Sequence, residues 1–134
     1  KSRADIQLVR QFGQVPPIEV DKHKVLQILV NLIRNAKLAC DESGKPEKVL
    51  TLETKRENGH VHIRVQDNGV GISEKNMTRI FNHGFTTRSN GNGFGLHSSA
   101  IAAREMGGEL SATSEGPGSG AVFILKLAVE PQNQ

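Results

Sequence analysis

Tryptophan and tyrosine are absent from these 134 residues, and phenylalanine occurs only five times. A protein that stacks bases on aromatic rings needs more than that, which argues against nucleic acid as a partner. Cysteine occurs once, at Cys40. An intramolecular disulfide and a cysteine metal cage are therefore excluded, and the usage fits a reducing compartment. Cys40 closes an apolar helical pattern and reads as a small buried apolar residue rather than a reactive thiol. Charge of one sign is not in excess: 17 Lys and Arg stand against 14 Asp and Glu, for a net charge of +3. The basic residues are scattered and read as an ordinary solvated surface. No apolar run approaches membrane-spanning length, and no signal peptide is expected. The expected location is cytoplasmic, whether or not a longer parent carries a membrane anchor.

What is present fits one soluble domain. Hydrophobic residues make up 36% and charged residues 23% of the chain, ordinary values for a globular protein with a real core. A single domain over residues 1–134 is expected. The chain opens on Lys1 rather than Met, so it reads as a piece of something longer. There are no internal repeats and no low-complexity tracts.

Periodicity gives the elements. Ala4 to Phe12 alternates loosely and reads as a strand, with Ile18-Glu19-Val20 as a short second strand after Pro16-Pro17. Asp21 is the expected N-cap of a long helix from Lys22 to about Asp41. Its apolar residues Val25, Ile28, Leu29, Leu32, Ala36 and Ala39 recur at helical spacing. Gly44 and Pro46 stop it. Val49 to Lys55 and His60 to Gln66 read as strands joined at Asn58-Gly59. Ser73 is expected to cap a short helix through Ile80, and a second long helix runs from about Gly95 to Met106. Strands from Glu109 to Thr113 and Val122 to Val129 flank a glycine turn. The expected fold is an α/β two-layer sandwich: a mixed sheet of about five strands with three helices on one face.

Three local patterns carry chemistry. Asp67-Asn68-Gly69-Val70-Gly71-Ile72 follows a strand directly. It delivers one carboxylate to a place where backbone can approach closely, because glycine lacks Cβ and tolerates positive φ. Surface turns use the same letters, so the pattern is informative only in company. Facing an adenine edge, ionised Asp67 would accept from the exocyclic amine; guanine places a carbonyl there and would be refused. Asn31 and Asn35 are four apart and share a helix face. Such amides either bond a neighbouring loop or offer an oxygen to Mg²⁺, which favours oxygen donors. Gly91, Gly93 and Gly95 lead into a helix start, where free N–H groups and the helix dipole attract anions. The plainer alternative is a flexible loop that reaches a helix. The polar stretch between Phe81 and Asn92 reads as a nucleotide-dependent lid flanked by Arg79 and Arg88. The five histidines, His23, His60, His62, His83 and His97, lack metal-ligand spacing. They read as structural or exposed, with His97 placed near the phosphates.

Together these patterns resemble the catalytic ATP-binding domain of bacterial sensor histidine kinases, a member of the Bergerat-fold ATPases. Leu29 to Ala36 resembles the asparagine box, Asp67 to Ile72 the first glycine box, Arg79 to Arg88 the phenylalanine box, and Gly91 to Leu96 the second glycine box. Gly107 to Leu110 and Gly118 to Phe123 resemble the closing strands. The resemblance implies that Asn35 holds Mg²⁺ and that Asp67 binds adenine. It implies a nucleotide site that also takes in Gly69, Gly71, Ile72, Phe85, Thr86, Thr87, Gly91, Gly93, Phe94, Gly95 and Leu96. The resemblance implies a γ-phosphate contact for Arg79 and names Asn31 with it as catalytic. Hydrolysing relatives carry a glutamate at the position of Asn31; an amide cannot act as that base, so the resemblance implies ATP held for transfer. Ala121 and Leu38 depart from the pattern, since relatives often place a hydroxyl and a lysine there.

The expected activity is therefore protein-histidine kinase, with ATP and Mg²⁺ as cofactors. The γ-phosphoryl group would pass to a histidine on the dimerisation and phosphoacceptor hairpin of the same protein, and then to a response regulator receiver domain. The hairpin is expected to lie outside these 134 residues. The parent is expected to be a homodimer, with no nucleic-acid partner. Rival readings are an anti-sigma-type serine kinase and a nucleotide-binding module without transfer activity.

Overall fold

A computed structural model describes residues 6–82 and 94–129, Phe94 by its backbone alone. The strand order is β1-β2-β3-β5-β4 in one five-stranded sheet. These strands are β1 (Ile6–Phe12), β2 (Lys48–Glu57), β3 (His60–Asp67), β4 (Glu109–Thr113) and β5 (Ala121–Ala128). β1 runs parallel to β2 and the remaining neighbours are antiparallel. The sheet is mixed, as the sequence pattern predicts. A parallel pair needs a crossover, and here it is α1 (Lys22–Ser43).

Local chemistry sets the boundaries of α1. The Asp21 side chain accepts from the backbone N–H of His23 and Lys24, and Gly44 closes the helix at φ 70°. The β2–β3 turn places Asn58 at φ 54° and Gly59 at φ 79°, the signs a two-residue hairpin turn requires. The expected short strand at Ile18–Val20 does not form. Residues 13–21 instead carry the chain from the sheet edge up to the helix layer, and Ile18 and Val20 pack sideways on the core. Pro16 and Pro17 have no N–H to give a ladder.

One face of the sheet carries the core. β5 alternates buried and half-buried along its whole length. Its Phe123, Leu125 and Leu127 share the inner face with Leu50 and Val65. Ile28, Leu32 and Ala36 of α1 pack there, beside Ala100 and Ala103 of α3 (Phe94–Glu105). The short helix α2 (Glu74–Met77) ends sooner than the predicted Ile80, because the chain tightens into i→i+3 turns at Arg79 and Asn82. It still delivers Met77, Ile80 and Phe81 to the same core, and Phe81 meets Phe123 edge to face. The opposite face is polar. There Glu53 and Arg64 pair across strands at 3.0 Å, and Lys126 faces Glu109.

Candidate functional site: a strand-end acid, an asparagine stripe and a helix start

Asp67 is the last residue of β3 and is only 4% exposed. It is flanked in register by Leu50 and Ala121. Burying a carboxylate is costly unless hydrogen bonds offset it. Here Asp67 Oδ1 accepts from the N–H of Gly69 at 2.8 Å. Asn68 anchors the turn from the other side. Its Oδ1 accepts from Val49 N–H at 2.8 Å, and its Nδ2 donates to the Glu47 carbonyl at 2.9 Å.

The glycines that follow make a close approach, and in this structure they make it to backbone of the same chain. A Cβ on Gly69 would strike the Ala39 carbonyl of α1. The neighbouring Val70 N–H donates to that carbonyl at 3.2 Å. Gly71 sits at φ 75° against the carbonyl of Gly116, and Gly120 at φ 77° against the carbonyl of Asp67. Two further bonds tie the β4–β5 turn to this loop: Gly118 N–H to Val70 O at 2.7 Å and Gly120 N–H to Gly69 O at 3.2 Å. Ser114 Oγ completes the clamp. It accepts from Ile72 N–H at 3.0 Å and donates to Gly120 O at 2.6 Å. Ile72 itself packs on the core.

Asn31, Asn35 and Ala39 fall four residues apart on α1 and form one stripe. At 1.5 Å per residue the stripe is about 12 Å long. Its Ala39 end touches the Asp67 loop. Its Asn31 end touches the first turns of α3: Asn31 Nδ2 donates to Ser99 Oγ at 3.1 Å and approaches the Gly95 carbonyl at 3.5 Å. Gly95 is a snug fit there, since a Cβ would lie 3.2 Å from Asn31 Cγ. Asn35 lies midway and is half-buried.

The first turn of α3 carries no carboxylate, so its backbone N–H groups meet no negative side chain of their own helix. Phe94, Gly95 and Leu96 build that turn, and Leu96 packs on the core. His97 Nδ1 bonds the Phe81 carbonyl at 3.0 Å. Arg79 stands exposed in the turn after α2. Phe85, Thr86, Thr87, Arg88, Gly91 and Gly93, with His83, lie outside the described residues. Among the described residues no group of three or more His, Cys, Asp or Glu is arranged to hold a metal. The donor set offered by Asn35 suits a hard ion that keeps waters and phosphates.

Three residues of this arrangement escape the sequence. Ser99 is 2% exposed and answers Asn31. Asn68 and Ser114 carry the bonds that shape the acid loop. The one available signal for Ser99 was a polar residue four positions before Ala103, on the buried face of α3.

A family model described as histidine kinase-, DNA gyrase B- and HSP90-like ATPase matches residues 20–131. The chain belongs to this family. Among curated proteins it is similar to the C4-dicarboxylate transport sensor protein DctS of Rhodobacter capsulatus, with 35% identity over 119 residues. That match takes in 87% of this chain and 18% of DctS, so the chain spans less than a fifth of that relative. Among solved structures it superposes on the catalytic domain of histidine kinase ThkA in a nucleotide-free form. The TM-score is 0.80 at 25% identity, over 94% of this chain and 80% of that one. It also superposes on full-length ShkA in complex with AMPPNP. There the TM-score is 0.77 at 26% identity, over 95% of this chain and 27% of that one. The five-stranded sheet with helices on one face is thus the ATP-binding fold of this ATPase family. No helix among the described residues is long and apolar enough to cross a membrane.

Proposed function

We propose that this ATPase-family domain is the catalytic part of a sensor histidine kinase, and that it holds Mg²⁺-ATP for transfer to a histidine. The observation that carries the reading is the stripe on α1. It joins a buried acid that suits an adenine amine to a helix start that suits phosphates, with Asn35 between them. AMPPNP bound to full-length ShkA supports a nucleotide in the corresponding fold.

Each residue has a share in this reading. Asp67, held by Gly69 N–H, accepts from the exocyclic amine of adenine. Gly69, Gly71 and Ile72 fix the wall beside the base. The N-terminal turn of α3, at Phe94, Gly95 and Leu96, offers the phosphates its N–H groups, and Phe85, Thr86, Thr87, Gly91 and Gly93 are further nucleotide residues in this reading. Asn35 offers its amide oxygen to Mg²⁺, which when bound neutralises phosphate charge. Arg79 meets the γ-phosphate. Asn31 cannot remove a proton from water, so hydrolysis is disfavoured and the phosphoryl group waits for another acceptor. Catalysis is then positioning and charge neutralisation, as phosphoryl transfer requires. An imidazole nitrogen of the phosphoacceptor hairpin attacks the γ-phosphorus, the bond to the β,γ-bridging oxygen breaks, and ADP leaves. A receiver domain takes the group next. The parent works as a homodimer with this domain in the cytoplasm.

The test mixes this domain with the helical hairpin of its parent and γ-labelled ATP. The reading expects an acid-labile, base-stable label on the hairpin histidine. Acid-stable phosphoserine on a partner points to the anti-sigma type of kinase instead. Nucleotide binding with no transfer in the full-length protein contradicts the kinase reading.

A further inference from the structure

Lys45 belongs to none of the sequence patterns above, yet its ammonium group lies where three segments meet. It stands in the corner between α1 and β2, half-buried. That corner is firm: Ser43 Oγ donates to the Cys40 carbonyl at 2.7 Å and accepts from Lys45 N–H at 3.1 Å. Lys45 Nζ donates to the carbonyl of Asn68 at 2.7 Å and to the carbonyl of Gly118 at 2.8 Å. Both distances are those of short, charge-assisted bonds. Two carbonyl dipoles aimed at one point repel each other; a cation between them turns the repulsion into a clasp.

The identity of the first carbonyl matters most. The Asn68 carbonyl and the Gly69 N–H are opposite ends of one planar trans peptide. The N–H end is the group that donates to Asp67 Oδ1 at 2.8 Å. Lys45 therefore grips the oxygen end of the peptide whose nitrogen end aims the buried acid. Pulling density toward that oxygen also strengthens the N–H as a donor, as in any hydrogen-bonded chain. The second carbonyl belongs to Gly118, whose own N–H bonds Val70 O. One ammonium thus fixes the tilt of the acid loop and the position of the turn that backs it.

We infer that Lys45 is a positioning residue for base recognition: through the Asn68–Gly69 peptide it holds the Asp67 carboxylate in the direction that selects an amino-purine over an oxo-purine. This rests on the reading of Asp67 as the adenine acceptor. Both bonds of the Lys45 ammonium go to backbone carbonyls of this chain. Its loss acts on the base contact and leaves the phosphate contacts alone.

The test compares the affinities of ADP and inosine diphosphate, with magnesium, by calorimetry on the wild-type chain, Lys45→Met and Lys45→Arg. Inosine carries a carbonyl where adenine carries the amine, so the ratio of the two dissociation constants reads the Asp67 contact directly. The wild type is expected to favour ADP. Lys45→Met is expected to weaken ADP about tenfold, the worth of one impaired hydrogen bond to a charged group, and to shift inosine diphosphate by less than about twofold. The ratio then shrinks by nearly an order of magnitude. Lys45→Arg keeps charged N–H donors and restores most of it. If Lys45→Met does not fold, Lys45→Gln, with a neutral amide that reaches one carbonyl at most, carries the same comparison. A merely structural lysine lowers the melting temperature and leaves the ratio unchanged, which overturns the inference while the Asp67 reading stands. A wild type that binds both nucleotides equally overturns the Asp67 reading, and the inference falls with it.

Discussion

The two ends of the α1 stripe are built differently. At the Asp67 end, the closest contacts are backbone on backbone, with the side chains of Asn68, Ser114 and Lys45 bonded around them. Gly69 lies on Ala39, Gly71 on Gly116 and Gly120 on Asp67, and no side chain larger than hydrogen fits between. At the α3 end, side chains do the joining, through Asn31 to Ser99 and His97 to Phe81. Contacts between backbones have no rotamers and adjust little. Contacts through amide, hydroxyl and imidazole groups survive small shifts of a helix. A nucleotide would meet a fixed socket for its base and an adaptable seat for its phosphates. This suits the proposed function, in which the domain would recognise one purine tightly and then release a spent diphosphate.

The comparison breaks most visibly at Gly71. Gly71→Ala demands a left-handed backbone from a residue with a Cβ, and it drives that atom into Gly116. A loss of about 3 kcal/mol or more is expected from strain and overpacking together, seen as a lower urea midpoint. Asp67→Asn tests the socket rather than its walls. The amide oxygen can still accept from Gly69 N–H, so the fold is expected to survive. Affinity for an ATP analogue should fall about ten- to a hundredfold, the worth of a hydrogen bond to a charged acceptor. Asn31→Ala probes the softer end. It removes the partner of the buried Ser99 hydroxyl and should cost about 1–2 kcal/mol of stability. Restoring a donor with Asn31→Gln should recover part of this, which no substitution at Gly71 can do.

The smallest effect is expected outside both ends. His62 lies on the polar face of the sheet, and burial pushes its imidazole below the usual histidine range. Glu57 opposes this, while Lys126, Lys55 and His60 reinforce it. The unfolded chain then binds the proton more readily than the folded one. Stability from this residue is full above the unfolded pKa and declines as pH falls through about 6.5, the ordinary histidine value. His62→Gln should flatten that acid-side decline in denaturation curves and leave nucleotide binding unchanged.

The parts of the fold legible in the sequence are those set by neighbours in the chain. Asp21, Gly44 and Asn58-Gly59 announce their cap, stop and turn because the chemistry is local. The sequence also marks Gly69 and Gly71 as a place of close approach. It does not show that Ala39 and Gly116 are what they accommodate, because those partners lie far along the chain. Ser99 is hidden for the same reason: its match with Asn31 depends on how two helices align, and periodicity within either one is silent on that. Ile18 and Val20 mislead because an apolar pair serves a crossing segment as well as a strand.

The central claim is that one cleft takes a magnesium nucleotide with its base on Asp67. Calorimetric titration of the purified chain with a non-hydrolysable ATP analogue and magnesium tests it most directly. Saturable one-to-one binding that Asp67→Ala abolishes or weakens at least tenfold is predicted. No heat with the wild type, or equal binding by Asp67→Ala, contradicts it.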